Sequence, residues 1–170
     1  CRRPRVFSFF RDIINSEKHR KTVIIMSTQI SDYENTALSL SLDENMQLFK
    51  NIFSKESVLR FKKIEVRESW RCDCAIFYLD GMVNVELHNE SIVRPLLTVK
   101  QERTENRLAE YIVRQVLFAS EAKVTSKVPD MIRAMLYGDT LLLIDGCAEA
   151  VTVNTKGWRT RGISEADDER

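Results

Sequence analysis

A run of five apolar residues, Ala75-Ile76-Phe77-Tyr78-Leu79, most constrains what this chain can fold into. It lacks the polar and apolar alternation of a strand with one face in water, and it stops at Asp80-Gly81, a pair typical of turns. The run therefore predicts a central strand that is buried on both faces. Such a strand needs cover on each side, so the sequence favours a mixed α/β fold.

Amphipathic segments can supply that cover. Ser41 can cap a first helix, because Glu44 follows it at the capping-box spacing. Pro95 is expected to end a second helix, because a proline ring cannot continue the hydrogen-bond ladder, and Gly138 fits the left-handed end of the last one. The predicted helices occupy residues 42–53, the segment from Asn84 to Pro95, a segment opening at Thr104, and the segment from Pro129 to Gly138.

The strands fall in two groups with the same local pattern. Residues 59–66 and 70–79 precede one Asp-Gly pair, and Thr140 to Ile144 precedes another, Asp145-Gly146, after which residues 148–154 predict a hairpin partner. This weak repeat predicts two small α/β lobes, each a short mixed sheet flanked by helices. The predicted divisions are a basic, loosely ordered tail over 1–40, lobes over 41–100 and 101–165, and an end segment over 166–170.

Length and charge indicate an ordinary soluble domain. The chain has 170 residues and a formal net charge of +1, so its overall field favours neither nucleic acid nor an anionic membrane surface. Its apolar runs are all much shorter than the about 18 residues that a helix needs to span a bilayer. Its four cysteines are few for this length, which favours a reducing compartment.

The motifs of common enzyme classes are missing from the sequence. Its five glycines form neither a P-loop nor a dinucleotide-binding pattern, so no loop of bare amides can hold phosphates. Its histidines, His19 and His88, belong to no nucleophile elbow or zinc-protease pair. We therefore predict that the chain is not an enzyme and uses no cofactor.

Cys72 and Cys74 raise the possibility of a metal site. Two thiolates on one strand face, helped by Cys147 and His88, could approach a tetrahedral site. Sequence-local zinc pairs usually have two intervening residues, so small core residues are the favoured interpretation and we predict no metal.

The residues most able to contact a ligand or partner lie at strand ends and near the C-terminus. Each Asp-Gly pair could offer a carboxylate to a cleft or could be a plain turn. The segment from Lys156 to Arg161 joins an aromatic ring to cations, but without overall basicity we predict no nucleic acid partner. The candidate contacts are Asp80, Gly81, Asp145, Gly146, Trp158 and Arg161.

Several of these motifs together resemble a known family. From about Ser41 to Glu165 the chain is similar to the N-terminal domain of the A subunit of bacterial spore germinant receptors of the GerA type. The motifs that carry the resemblance are Gly138-Asp139-Thr140, Ile144-Asp145-Gly146, Lys156-Gly157-Trp158, Arg161 to Glu165, and the stretch from Asp73 to Leu97 with Leu79-Asp80-Gly81 and Arg94-Pro95.

The resemblance implies a place and partners. In that family the A subunit continues into membrane-spanning helices and joins B and C subunits in the spore inner membrane, with this domain facing the spore core. The full-length protein would then be membrane-embedded although this domain is soluble. The family pattern usually continues with proline after Glu165, whereas here residues 166–170 follow, so we expect a truncated end before an absent membrane region.

Two functions follow as expectations. The first is germinant sensing or signal transmission through contacts with B and C subunits or with other A subunits. The alternative is direct binding of a small nutrient, an amino acid, sugar or nucleoside, in a cleft between the lobes.

Overall fold

The computed structural model describes residues 30–66, 72–99 and 107–157. Within them, a five-stranded sheet has the order β1-β2-β4-β5-β3, and all neighbouring strands are antiparallel. The strands are β1 (Leu59–Glu65), β2 (Asp73–Leu79), β3 (Ala122–Thr125), β4 (Asp139–Ile144) and β5 (Ala150–Asn154). Helices lie on both faces, and the predicted mixed α/β class is confirmed.

The helical segments are α1 (Leu42–Ile52), α2 (Val85–His88), α3 (Arg94–Thr98), α4 (Leu108–Tyr111) and α5 (Val128–Leu136). Two π-helical segments, π1 (Asn89–Val93) and π2 (Ile112–Val116), continue α2 and α4. A 3-10 turn occupies Ile30–Tyr33. No helix of these described segments is long and apolar enough to cross a membrane.

β2 is the buried strand that its sequence predicts. Phe77 faces the core formed with α1 and α5, whereas Ile76 faces the core formed with the π-containing helices. Both are almost completely inaccessible to solvent. Because successive side chains of a strand point to opposite faces, burial of both requires a helical layer on each side.

The strands of both predicted lobes belong to one sheet. β2 pairs with β4 in a register that places Cys74 opposite Ile144 and Phe77 opposite Leu141. The expectation of a separate short sheet in each lobe therefore differs from the structure. Both strands are apolar on two faces, and pairing them at the centre of one sheet buries both more completely than two sheets could.

Order also extends into the predicted tail. Ile30 and Leu38 are buried and belong to the core beneath α1 and α5. Residues 1–29 lie outside the described residues. The predicted tail over 1–40 can therefore be compared with the structure only from residue 30 onward.

Local signals at two helix ends are confirmed. The Ser41 hydroxyl accepts a hydrogen bond from Glu44 N–H, which caps α1. Gly138, just after α5, has a φ of 88°, a value that glycine adopts without the steric cost of a side chain. Thr104, the predicted start of a third helix, lies outside the described residues.

Pro95 does not end the helical segment after Asn84, so that prediction is wrong. Asn84 caps α2 by accepting a hydrogen bond from Leu87 N–H at 3.0 Å, but the segment continues through π1 into α3. Arg94 N–H donates to Asn89 O, five residues back. Pro95 then lies in the first turn of α3, where its missing N–H is tolerated.

The carbonyl of Ser91 joins the two π segments. In an α-helix it would accept from residue 95, but proline has no N–H to give. The N–H of Phe118, two residues after π2, donates to Ser91 O at 3.2 Å. Because Pro95 donates no hydrogen bond, the Ser91 carbonyl can accept one from Phe118, in the segment after π2.

Candidate functional site

The Asp145-Gly146 turn holds the start of α1 against the end of β4. The Asp145 carboxylate accepts a hydrogen bond from Leu42 N–H at 3.1 Å, so a negative charge lies at a helix N-terminus, where it is stabilising. Gly146 N–H donates to Leu40 O at 2.8 Å, and its φ is 72°. Asp145 therefore has a clear structural role.

The Asp80-Gly81 turn lies against the start of β1. The Asp80 carboxylate lies 2.9 Å from Arg60 Nη2, and both side chains are about half exposed. Its N–H donates to Val58 O at 2.8 Å, and Gly81 has a φ of 79°. An ion pair this exposed contributes little to stability, on the order of 0–1 kcal/mol.

The structure places these two turns at opposite ends of the sheet. β2 and β4 run antiparallel, and Asp145 N–H donates to Asp73 O at the first residue of β2. Asp80 follows the last residue of β2. The two carboxylates therefore do not share a cleft on this sheet. Trp158 and Arg161 lie outside the described residues.

The cysteines do not meet His88. Cys74 is buried opposite Ile144, and burial raises the pKa of its thiol well above the usual value. The Cys72 thiol donates to Asp145 O at 3.1 Å. His88 contacts Tyr78, four residues further along β2 from Cys74. Across the described residues, no group of three or more metal-ligating side chains comes together.

A buried polar cluster was missed by the sequence reasoning. Thr155 Oγ1 donates to Gly138 O at 3.3 Å, and Thr140 Oγ1 lies 2.8 Å from Thr155 Oγ1. His88 Nδ1 lies 3.1 Å from Thr140 Oγ1. We call this series, His88, Thr140, Thr155 and Gly138, the hydroxyl chain. It links α2 to the start of β4 and to the residue after β5.

The hydroxyl chain is shielded from water. Both threonines are fully buried, and His88 is 6% exposed. The His88 ring packs on the Tyr78 ring with centroids 4.7 Å apart. This burial lowers the pKa of His88, since a charged imidazolium is poorly solvated in such a place.

An ion pair lies beside the hydroxyl chain in the sequence. Lys156 Nζ approaches Asp139 Oδ1 at 3.0 Å, and both side chains are largely buried. Burial raises the pKa of Asp139, and the Lys156 ammonium opposes the rise.

A short backbone ladder joins residues 82–84 to residues 155–157. Asn84 N–H donates to Thr155 O at 2.7 Å, and Gly157 N–H donates to Met82 O at 3.0 Å. A Cβ on Gly157 would lie 3.0 Å from the backbone carbonyl carbon and oxygen of Val83, tighter than most real Cβ contacts, so the Val83 backbone would have to shift slightly. Glycine therefore permits this approach of two backbones.

Comparison with known proteins identifies the family. A model of the Bacillus/Clostridium GerA spore germination protein family matches residues 47–170. The chain belongs to this family. The match includes the ladder, the hydroxyl chain and both Asp-Gly turns.

Curated relatives in the GerA family are much longer than this chain. The spore germination protein GerLA of Bacillus cereus is 34% identical over 94 residues, which is 53% of this chain and 18% of the relative. The spore germination protein KA of Bacillus subtilis (strain 168) is 26% identical over 129 residues, which is 75% of this chain and 23% of the relative. The chain thus spans about a fifth of their length.

A solved domain of a spore germinant receptor shares the fold. The crystal structure of the N-terminal domain of the A subunit of the Bacillus megaterium spore germinant receptor GerK3 matches with a TM-score of 0.56 and 20% identity. The match covers 72% of this chain and 49% of that one. At this identity the likeness establishes the fold alone.

The family motifs meet in space at the hydroxyl chain. Gly138-Asp139-Thr140 and Lys156-Gly157, two of the motifs that carry the family resemblance, supply the ion pair and part of both the chain and the ladder. The only sequence signal for the hydroxyl chain was the presence of small polar residues in two motifs that lie far apart in the chain. Their contact depends on β4 and β5 being neighbours.

Proposed function

We propose that this chain is the N-terminal domain of a spore germinant receptor A subunit, and that it senses germinant or transmits its signal through contacts with other subunits. The GerA family match over residues 47–170 carries the proposal. The lack of recognised catalytic motifs in the sequence supports a contact role over a chemical one.

The proposed partners are the B and C subunits of the receptor and other A subunits. The proposed place is the spore inner membrane, with this domain on the core side. The motifs that resemble the germinant receptor A subunits support these partners. The fold shared with GerK3, whose solved domain belongs to the A subunit of a spore germinant receptor, agrees with them.

Exposed apolar side chains on the π-containing layer favour subunit contact. Val85, Leu87 and Leu97 are 58%, 40% and 58% exposed on the α2-π1-α3 segment, and Phe118, whose backbone bonds to that segment, is 67% exposed. Apolar side chains gathered on an exposed surface often mark interaction sites. Leu97 is therefore the first residue to test.

Two matched variants test the proposal. Leu97→Asp removes an exposed apolar side chain, whereas Thr98→Asp adds the same charge at an exposed neighbour on α3. In full-length protein expressed with B and C subunits, Leu97→Asp is expected to reduce co-purification and to slow germination, and Thr98→Asp to leave both near wild type. Leu97→Asp should keep nearly the wild-type Tm, because its side chain faces solvent. Thr98→Asp should lower the Tm slightly, because it removes the hydrogen bond from the Thr98 hydroxyl to Arg94 O at 2.8 Å.

The proposal fails if the wild-type protein does not co-purify with any other subunit. Direct nutrient binding would instead raise the Tm of the isolated chain, because a ligand bound only to the native state stabilises it by mass action. Asp80 and Asp145 are less suited to a shared nutrient cleft, since they lie at opposite ends of β2 and each contacts other parts of the same chain.

A further inference from the structure

β1 has a strand on one side only. It stands first in the sheet order, and β2 is its one partner among the described strands. Asp80 N–H donates to Val58 O at 2.8 Å, one position before β1 begins, and hydrogen-bonded pairs recur at every second position of an antiparallel ladder. The even-numbered residues of β1 therefore direct their backbone groups toward β2, and the odd-numbered residues direct theirs away from the sheet.

The pairing of β2 with β4 agrees with this alternation. Asp145 N–H donates to Asp73 O at 2.9 Å, so the odd-numbered residues of β2 direct their backbone groups toward β4. Its even-numbered residues are then the ones that bond to β1, as the contact between Asp80 and Val58 requires.

Phe61 and Lys63 hold the free backbone groups of this edge. Leu59 is satisfied by its own surroundings, because its N–H donates to Glu56 O and its carbonyl accepts from Arg60 Nη1. The backbone N–H and C=O groups of Phe61 and Lys63 meet no partner within the described residues. We call these two positions the open edge of β1.

The side chains beside the open edge supply an apolar contact and a free charge. Phe61 is 47% exposed, and its ring stacks on Phe77 with centroids 5.5 Å apart. Lys62 is exposed on the other face of the strand. Within the described residues no carboxylate pairs with Lys62, whereas Lys63 Nζ lies 3.1 Å from Asp43 Oδ1.

A strand added at the open edge would bring one of its residues close to Lys62. Phe61 and Lys63 would form the hydrogen-bonded pairs, so Lys62 would occupy a non-hydrogen-bonded position, where opposite side chains approach most closely. Opposite charges across a strand pair attract, and like charges repel. The position opposite Lys62 is therefore suited to a carboxylate.

A second copy of β1 does not fit this edge. An antiparallel pair that opposes Phe61 to Lys63 puts Lys62 opposite Lys62. The neighbouring registers put Lys63 opposite Lys63 or Lys62 opposite Arg60. Lysines on edge strands guard against such pairing between copies, and the same cations leave the edge open to a strand of negative charge.

We propose that the open edge of β1 is a docking site for an extended acidic segment of a partner protein. The segment adds an antiparallel strand with a carboxylate opposite Lys62 and apolar side chains on the face of Phe61, so acidic and apolar residues alternate along it. Main-chain hydrogen bonds to Phe61 and Lys63 supply affinity, and the side-chain contacts supply selectivity.

Amide exchange in the 170-residue chain without a ligand tests the edge itself. The N–H groups of Phe61 and Lys63 should exchange faster than that of Lys62, because the Lys62 N–H is directed at β2. Equal protection of all three would mean that another part of the chain covers the edge, and it would overturn the proposal.

A peptide titration tests the partner. The probe is a peptide of about seven residues in which Glu and Val alternate, with both ends blocked, and its matched counterpart carries Lys in place of Glu. In amide NMR spectra the Glu peptide should shift and protect Phe61 and Lys63, and the Lys peptide should bind more weakly. No change with the Glu peptide, or equal binding of both, would contradict the proposed site.

Two variants separate a specific contact from general attraction. Lys62→Glu should weaken binding of the Glu peptide and reverse the preference between the peptides, by about two- to fivefold for each charge pair lost or gained. Lys123→Glu makes the same charge change at an exposed position of β3, the opposite edge strand, and should leave binding at β1 near wild type. Equal weakening in both variants would show a diffuse charge effect and refute the assignment of Lys62.

The docking edge does not depend on the proposed receptor function. It lies on a different element from Leu97, and neither the exchange measurement nor the peptide titration needs another subunit. A negative result at β1 would leave the Leu97 test unaffected, and a negative result at Leu97 would leave the open edge unaffected.

Discussion

The two faces of the sheet differ in the regularity of their helices. One face is covered by α1 and α5, which are continuous α-helices with Ser41 capping α1 and Gly138 ending α5. The other is covered by short α segments interrupted by π1 and π2. The π face also holds His88 and most of the exposed apolar side chains of the described residues.

This difference in helix regularity suggests that the two faces of the sheet have different roles. The ends of α1 and α5 are set by local sequence signals, whereas π segments are rare and recur at functional sites. We therefore expect the α1 and α5 face to act as the support and the π face to change when a partner binds.

The largest expected effect is a cavity on the supporting face. Phe49 is fully buried in α1, and its ring lies 5.9 Å from that of Phe77 on β2. Phe49→Ala should lower the free energy of unfolding by about 3–5 kcal/mol, measured by urea denaturation. Exchange should speed up across the whole sheet.

Ile92→Ala supplies the counterpart on the π face. Ile92 is fully buried in π1, and its truncation should cost about 2–4 kcal/mol. The comparison predicts that amide exchange rises first in α2, π1 and α3, before the sheet opens. Equal opening of both faces in the two variants would remove the proposed division.

Gly157 tests the ladder with a smaller expected effect. Gly157→Ala places a Cβ against the Val83 backbone, and backbone atoms cannot move aside as a flexible side chain can. Unfolding free energy should fall by about 1–3 kcal/mol, the range for overpacking. Gly146 gives the contrasting case, since a Cβ there meets nothing within 4 Å but its φ of 72° still strains an alanine.

The two Asp-Gly turns give the smallest expected differences. Asp145→Asn should cost about 1 kcal/mol in the unfolding free energy, because it removes the charge at the N-terminus of α1. Asp80→Asn should cost about 0.5 kcal/mol or less, because the pair with Arg60 is exposed to solvent. Thermal melts at low and high salt would separate the two, and equal losses would contradict the assignment of Asp145 to α1.

Sequence reasoning was accurate where a signal is local. The buried strand around Phe77, the capped helix after Ser41 and the hairpin of β4 and β5 all correspond to elements of the structure. It was wrong at Pro95, because a π turn has no reliable sequence signature and the proline falls at the start of α3. The GerA family was also recognisable from its motifs, and the family match confirms it.

The candidate site was less accessible to sequence reasoning. The Asp-Gly pairs were identified by their turn chemistry, but whether Asp80 and Asp145 share a cleft depends on strand direction, which local patterns do not encode. The hydroxyl chain could not be predicted from the sequence. A threonine on a strand and a histidine on a short helix are common, and their hydrogen bonds are often made to nearby backbone groups.

The class of elements and the buried centre of the sheet could be predicted from the sequence, because apolar periodicity, capping residues and turn residues act over a few positions. The family was recognised separately, from motifs that resemble it. Three outcomes needed the tertiary structure: β2 pairs with β4, the two Asp-Gly turns lie apart, and Thr140 contacts both His88 and Thr155. Those outcomes depend on contacts between residues far apart in the chain, such as His88 and Thr140 at a separation of 52 positions. Local sequence patterns are compatible with many strand orders, and the order and register of the sheet decide which distant residues come into contact.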